Sequence, residues 1–552
     1  MINYFKKKIN NNYYLSKLYK IYNYYFFIKK KLKFQLFDEN IKFKDKKKKT
    51  VIFSLIETSH PINILLTLLG KILEIRGYQV LILVCDQFLH GCEIKSLKNK
   101  KDLNPCFNCK FNQKKIFPLF KLPIIKLSTL CDEKMSSKIN KALKEFKGNG
   151  YFFKKKNKYY YLNVHIKDSV TRYFYGDLDE KKFKKNSNEI NLNHCRTSVF
   201  MHEVSRLLDK KYDPISVVSA MSVYSSWYPL FNFFSKKGNR FKQFSLTQYN
   251  FKALIFNEFQ LYPSLNRFKK FLSFRKNKNL TKKEKTIVSK FINMRIKGSS
   301  DIFVKDNYFK GDIKKKNEIK NILDIDSNKK NIFLFTNVFW DVGLADRGLF
   351  FNTVLEWVFY TIDLLKNNSN YHLYIKPHPA EFKSSESLIG IEEIIRKKYK
   401  NSISNLSFIK ADYKIKPYDL KPFIDLALVF NGTLNIEFML QKVPVLSCGI
   451  SPTLGLGLNK ELLNRSAYKT ILKNKKYDYT KFLVKNNNKL MLFAYFYFIK
   501  NSIPWNYTNY FYSENFKGFN FKSLNNLNKK DFMIDHLVNC IVKGDEFVPE
   551  NW

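Results

Sequence analysis

Three short stretches in the second half of the chain combine residue types that bind phosphate groups and sugar hydroxyls. They are TNVFWD (336–341), KPHPAE (376–381) and NGT (431–433). In the second stretch, Lys376 and His378 could donate hydrogen bonds to a phosphate leaving group and offset its charge. The prolines on either side of His378 fix two φ angles, so this imidazole is expected to be held in place.

The third stretch predicts the start of a helix at an anion site. Gly432 permits a close approach of the backbone, and the free N–H groups of the helix expected after Thr433 would face the anion. Thr433 and Glu437 are four residues apart and share one helical face, where the carboxylate could accept sugar or ribose hydroxyls. Each stretch also has a purely structural interpretation, as a turn histidine or an ordinary Asn-Gly turn before a helix. The three together favour a ligand site.

The elements that must position these stretches are buried strands. The apolar runs 331–336, 371–376 and 425–430 each precede one of them. In open α/β sheets, ligands bind outside the carboxyl ends of the strands. The same pattern begins at residue 51, where a strand is followed by a helix with Pro61 at its start and Gly77 after its end. The sequence therefore predicts an α/β fold with two Rossmann-like, doubly wound domains, a helical connection and a C-terminal helical tail.

Composition along the chain predicts five segments. They are a basic aromatic arm (1–50), a first Rossmann-like domain (51–250), a helical linker (251–330), a second Rossmann-like domain (331–480) and the helical tail (481–552).

The net charge of +51 suggests nucleic acid or an anionic membrane as a partner. The lysines are spread along the whole chain and arginine is scarce, so most of this charge is interpreted as a solvated surface. There is no run of about 18 apolar residues and no signal-peptide pattern. We therefore expect a cytoplasmic protein whose N-terminal arm could contact the anionic inner membrane peripherally.

Four of the eight cysteines cluster in one predicted loop: Cys85, Cys92, Cys106 and Cys109. The C-x-x-C pair with two further thiols could form a structural zinc site, in which Cys131 or His90 could replace one ligand. The alternative is that Cys85 ends a strand and belongs to the core.

The order and spacing of the three stretches resemble those of bacterial capsular-polysaccharide glycosyltransferases, a GT-B group related to the capsule Kdo transferases. In the first half, DSVTRYFYGD (168–177) and SVYSSWYPLFNFFSKKG (222–238) resemble two further stretches of that group. The resemblance covers most of 51–505. The sequence departs from the pattern before Tyr224, where a glycine is usual, and after residue 449, where ISPTLGLGL replaces a basic loop.

The resemblance implies transfer of a sugar from a nucleotide-sugar donor to a capsular polysaccharide or its lipid anchor, without a catalytic metal. Lys376 and His378 would hold the donor phosphate, and Glu437 and Glu381 would hold hydroxyls or orient the histidine. The remaining residues expected to line the donor site are Thr336, Asn337, Trp340, Asp341, Asn431, Gly432 and Thr433.

The first domain would bring the acceptor. Glu57 and His60, after the first strand, are candidates for the base that takes the acceptor proton. Alternatively, Ser59 and His60 only cap a helix. Two other functions stay open on the sequence: a CDP-polyol phosphotransferase with the same basic cleft, and a non-enzymatic basic protein that binds nucleic acid.

Overall fold

The structure of the protein is a computed structural model. The described residues are 49–56, 60–95, 106–144, 153–174, 180–249, 252–257, 264–275, 279–300, 314–341, 348–381, 387–400, 403–410, 413–474, 476–505, 507–509, 518–521, 527 and 531–545. Nearly all of the predicted N-terminal arm, 1–48, lies outside the described residues.

Strands and helices alternate along most of the chain. The strands are β1 (Thr50–Ser54), β2 (Gln79–Val84), β3 (Ile124–Lys126), β4 (Ser216–Ser219), β5 (Phe241–Tyr249), β6 (Lys252–Asn257), β7 (Lys330–Phe335), β8 (Tyr371–Lys376), β9 (Leu406–Phe408), β10 (Leu426–Val429), β11 (Val445–Ser447), β12 (Ile503–Pro504), β13 (Thr508–Asn509) and β14 (Gly518–Phe519). The α-helices are α1 (His60–Ile75), α2 (Phe107–Phe111), α3 (Glu133–Lys144), α4 (Asn163–Tyr173), α5 (Glu180–Tyr212), α6 (Tyr224–Lys236), α7 (Ser264–Phe274), α8 (Lys282–Ile296), α9 (Lys316–Leu323), α10 (Val354–Leu365), α11 (Ile391–Lys398), α12 (Leu434–Leu440), α13 (Arg465–Lys473), α14 (Asn487–Tyr495) and α15 (Phe532–Val542).

The first compact unit is drawn from 1–173, 184–259 and 503–547. Its sheet has the order β12-β6-β5-β4-β1-β2-β3. The strands from β5 to β3 pair in parallel, whereas β6 and β12 add to the edge in antiparallel orientation. Helix α1 packs its apolar residues against this sheet, and Gly77 follows the helix end with a φ of +92°, a conformation that favours glycine.

The second unit is drawn mainly from 260–502. Its sheet has the order β11-β10-β7-β8-β9, and every pair of neighbours is parallel. Helix α10 places Trp357 in the core, where the indole N–H donates to Tyr468 Oη at 3.2 Å. The predicted α/β fold with two Rossmann-like units is confirmed, and two such units are the components of the GT-B architecture.

The two units are discontinuous in sequence. The helices α7 and α8, expected in a linker, belong to the second unit, and the residues from 503 to 547 belong to the first. Strand β12 extends the first sheet, and helix α15 packs into the first core through Ile534, Leu537 and Val538. The boundaries at 250, 330 and 480 stay predictions. Within the described residues, no helix has the length and apolar content needed to cross a bilayer.

Candidate functional site

The three stretches begin at one edge of the second sheet. Strands β10, β7 and β8 are neighbours, and their last paired residues form one row: Val429 lies opposite Phe335, and Phe335 lies opposite Lys376. In parallel strands, a shared row places the following residues at the same carboxyl edge. The structure therefore brings together the predicted loops 336–341, 376–381 and 431–433.

Two of these loops are hydrogen-bonded to each other. The Asn337 side-chain amide donates to Asn431 Oδ1 at 2.8 Å. Gly432 has a φ of +102°, and a Cβ added there would meet nothing within 4 Å, so its side faces open space. Two buried polar atoms at this edge, Thr336 Oγ1 and Asn431 Nδ2, have no hydrogen-bond partner among the described residues. Such atoms normally bond to water or to a ligand.

The structure holds His378 as a neutral imidazole. Its Nδ1 accepts a hydrogen bond from the Ala380 backbone N–H at 3.1 Å, so in the neutral ring the proton lies on Nε2. Desolvation and nearby Lys376 lower the pKa of His378 to about 4, and Asp341 offsets this only in part. At neutral pH, the side chain is therefore a hydrogen-bond donor through Nε2 and carries no charge.

Two of the predicted site residues are turned into the protein. Glu381 is 6% exposed, and its Oε2 accepts from the Ile391 N–H at the start of α11 at 3.3 Å. Burial raises the pKa of Glu381 to about 8, so the carboxyl group is mostly protonated at neutral pH. Trp340 lies in the core and donates its indole N–H to Ser387 Oγ at 2.8 Å. Trp340 and Glu381 therefore fix the loop through these hydrogen bonds, and Glu381 adds no negative charge at the edge.

The Glu437 carboxylate is bound by two residues that the sequence analysis missed. Arg295 of α8 donates from Nε to Glu437 Oε1 at 2.7 Å and from Nη2 to Thr433 Oγ1 at 3.0 Å. Tyr418 donates its hydroxyl to the other carboxylate oxygen. The arginine therefore ties the first turn of α12 to α8, and its charge is balanced by the Glu437 carboxylate. No local pattern marks Arg295, because its partners lie 138 and 142 residues away in sequence.

The two motif stretches of the first unit contact each other. Ser169 Oγ donates to Glu93 Oε1 at 2.9 Å and accepts from Ser225 N at 2.8 Å. Arg172 Nη1 lies 3.3 Å from Tyr224 Oη. Tyr224 begins α6 with a φ of +68°, and a non-glycine residue in this conformation is strained. The resemblance places a glycine just before this position.

The side chains of the two candidate bases, Glu57 and His60, lie outside the described part of the structure. Glu57 and Ser59 lie outside the described residues, and for His60 only the backbone is described, as the first residue of α1. The role of either residue as a base stays a prediction.

The predicted zinc site has no ligand set. Among the described residues, which include all four cysteines, no three histidine, cysteine, aspartate or glutamate side chains are arranged to hold a metal ion. Cys85 and Cys109 are each 6% exposed, and burial raises the pKa of the Cys85 thiol, which disfavours the thiolate that zinc requires. The alternative interpretation of Cys85 as a core residue agrees with this structure.

No protein-family model matches the chain, and a search of curated proteins found no match. Among solved structures, the β-Kdo 2,4 transferase KpsC of Thermosulfurimonas dismutans is similar at 12% identity and a TM-score of 0.33, over 51% of this chain and 79% of that chain. A UDP-GlcNAc 2-epimerase from Neisseria meningitidis bound to UDP-GlcNAc is similar at 9% identity and a TM-score of 0.27, over 81% and 96%. Anabaena Alr3699/HepE in complex with UDP and glucose is similar at 9% identity and a TM-score of 0.24, over 81% and 95%. At these TM-scores, the similarities carry no weight for the activity of this chain, which has to be argued from its residues.

Proposed function

We propose that the second unit binds a nucleotide-sugar donor at the carboxyl edge of its sheet, and that the protein is a glycosyltransferase. The observation that carries this proposal is the shared row of Val429, Phe335 and Lys376, since it gathers three polar loops at the end of adjacent strands. By the resemblance of its motifs, the acceptor would be a capsular polysaccharide or its lipid anchor, and the first unit would bring it.

The charges at this edge suit a diphosphate. Lys376 supplies positive charge, and neutral His378 supplies an N–H donor from a fixed ring. The charge of Arg295, which lies beside Thr433, is balanced by Glu437. Thr336 Oγ1 and Asn431 Nδ2 are buried polar atoms whose hydrogen bonds a donor could complete. Open space beside Gly432 would let the nucleotide end approach the backbone.

In the transfer step, the bond between the anomeric carbon and the phosphate oxygen breaks, and the nucleotide leaves with the electron pair. A new bond forms between that carbon and an acceptor oxygen, whose proton goes to a base, for which Glu57 and His60 are the candidates. Lys376 and His378 would stabilise the charge that develops on the leaving phosphate. Because these side chains supply the stabilisation, the proposal assigns no step to a metal.

Glu437 takes a different role in this proposal from a simple hydroxyl ligand. Both of its oxygens are engaged, one by Arg295 and one by Tyr418. It would therefore act chiefly as a positioning residue, because it fixes the Arg295 guanidinium beside Thr433. We also propose that the protein works at the cytoplasmic face of the inner membrane, with the basic arm 1–50 against anionic lipid.

A thermal-shift panel of CMP-, CDP-, UDP- and GDP-linked sugars, with CDP-linked polyols alongside, tests the proposed function. We expect one nucleotide-sugar class to raise the melting temperature in a saturable manner, because a ligand that binds only the folded state stabilises it. Stabilisation by a CDP-polyol alone would favour the polyol phosphotransferase. The absence of any saturable shift across the panel would contradict both enzymes.

A further inference from the structure

A second cavity lies in the first unit, far in sequence from the loops described above. It has a volume of about 190 Å³ and lies after the carboxyl ends of β2 and β3, between α3 and α5. The loop after β2 contributes Phe88 and His90, α3 contributes Ile139, and α5 contributes Arg196 and Phe200. The carboxyl ends of parallel strands are where α/β units bind ligands, and none of the motifs discussed above accounts for this cavity.

The loop that forms one wall is fixed in place. Thr197 Oγ1 accepts from Gly91 N at 3.0 Å and donates to Gly91 O at 2.9 Å. A Cβ at Gly91 would lie 2.6 Å from the backbone of His194, so only glycine permits this approach. Two residues further on, buried Glu93 accepts hydrogen bonds from Ser169, Ser225 and Ser226. The wall is therefore a preformed surface.

One end of the cavity carries positive charge. Arg196 is half-buried, and it forms no hydrogen bond or ion pair with any described residue. Burial lowers the pKa of His90, and the nearby cations Arg196 and Lys95 lower it further. Lys95 is held beside the cavity because its ammonium group donates to Leu89 O at 2.8 Å. Since Arg196 has no partner among the described residues, its half-buried guanidinium could bind an anion.

Much of the remaining lining is apolar, although Ser136, Asn140 and Thr197 also line the cavity. The rings of Phe88 and Phe200 lie 4.9 Å apart between centroids, and Leu89 and Ile139 add buried apolar side chains. The volume is below the roughly 300 Å³ at which sites for drug-sized ligands begin, so a whole nucleotide-sugar does not fit. An anionic head group followed by a short apolar segment matches both the size and the distribution of charge.

We propose that this cavity is a binding site for a phosphate ester with an apolar alcohol part, whose phosphate contacts Arg196 and whose apolar part lies against Phe88, Ile139 and Phe200. Both a lipid head group at a membrane surface and a soluble alkyl or isoprenoid phosphate have this chemistry. The proposal does not depend on donor binding in the second unit, because every residue that it uses belongs to the first unit.

The test measures binding to the full-length protein by calorimetry with three probes: hexyl phosphate, inorganic phosphate and hexanol. We expect hexyl phosphate to bind saturably and at least about tenfold more tightly than either of the others, because only it fills both parts of the site. Arg196→Gln should weaken hexyl phosphate by about tenfold to a hundredfold, the range expected for one charge-assisted hydrogen bond. Arg206→Gln, an equal charge change on the exposed part of the same helix, should leave the affinity within about twofold.

Sedimentation with vesicles of phosphatidylglycerol, compared with phosphatidylcholine, distinguishes the two sources of the phosphate. If Arg196→Gln binds the anionic vesicles more weakly than Arg206→Gln, which has the same net charge, the natural ligand is a lipid head group. If only hexyl phosphate binding is lost, the ligand is a soluble phosphate. Equal affinities for hexyl phosphate and inorganic phosphate, unchanged binding in Arg196→Gln, or equal losses in both variants with unchanged melting temperatures would overturn the proposal.

Discussion

Removal of Arg295 should destabilise the second unit strongly, because it leaves a buried carboxylate without its cation. The side chains of Arg295 and Glu437 are 12% and 3% exposed, and their closest atoms lie 2.7 Å apart. Breaking a buried pair from one side costs about 3–5 kcal/mol. In a domain of 150–250 residues, each kcal/mol lowers the melting temperature by about 2–4 °C. Arg295→Met should therefore lower the melting transition of this unit by roughly 6–20 °C in scanning calorimetry.

The double variant Arg295→Met with Glu437→Leu distinguishes the cost of an unpaired buried carboxylate from the contribution of the ion pair itself. Because an apolar pair of similar volume is often as stable as a buried ion pair, the double variant should recover most of the loss. It should stay short of the wild type by about 1–3 kcal/mol, because the buried Tyr418 hydroxyl loses its acceptor. Its donor affinity should stay low, since the guanidinium beside Thr433 is gone. A loss of less than about 1 kcal/mol in Arg295→Met alone would refute the assignment of a buried, interdependent pair.

Three further predictions concern the same edge. Donor affinity should stay constant between pH 8 and about pH 5 and should rise only towards pH 4, where His378 gains its proton and a positive charge. A midpoint near 6.5 in a calorimetric pH series would contradict the neutral, desolvated ring. The folded-state pKa of Glu381 is raised from 4.5 to about 8, so the fold loses stability as pH rises between these values, and Glu381→Gln should stabilise the protein by a few kcal/mol more at pH 8 than at pH 4.5 in urea unfolding. Equal effects of that substitution at both pH values would exclude a buried, titrating carboxyl group. Gly432→Ala should cost about 1–3 kcal/mol of stability from its positive φ alone, since the Cβ meets no neighbour; no measurable change in the urea midpoint would show that the loop relaxes.

The sequence predicted the parts of the site that follow directly from strands. The apolar runs that lead to Thr336, Lys376 and Asn431 predict where three strands end. Parallel pairing of these strands then aligns the three loops that follow. Arg295 could not be predicted in this way, since its contact with Glu437 closes a loop of 142 residues. Its helix buries Val288, Phe291 and Ile292, and this pattern does not identify a partner for the arginine.

The spacing of the cysteines suggested a zinc site that the described residues do not form, and it gave no information on the unit boundaries. The C-x-x-C pair predicts closeness of Cys106 and Cys109, but the direction of a third thiol depends on how Cys85 packs at the end of β2, and it packs into the core. Strand β12 is only two residues long, so its pairing with β6 leaves no periodic signal in the sequence. Hydrophobic pattern thus predicts elements well and leaves the long-range partners of polar groups undetermined.

The calorimetric affinity of the best nucleotide-sugar for wild type, His378→Ala and His372→Ala tests whether His378 contacts the donor phosphate. His372 is the matched control, because it lies at the start of β8, six residues before His378, and bonds to Ser407 at 2.8 Å, away from the carboxyl edge. We predict a loss of at least about tenfold in affinity for His378→Ala, with an unchanged melting temperature, and less than about twofold for His372→Ala. Equal affinity of His378→Ala and wild type would show that His378 does not contact the donor phosphate.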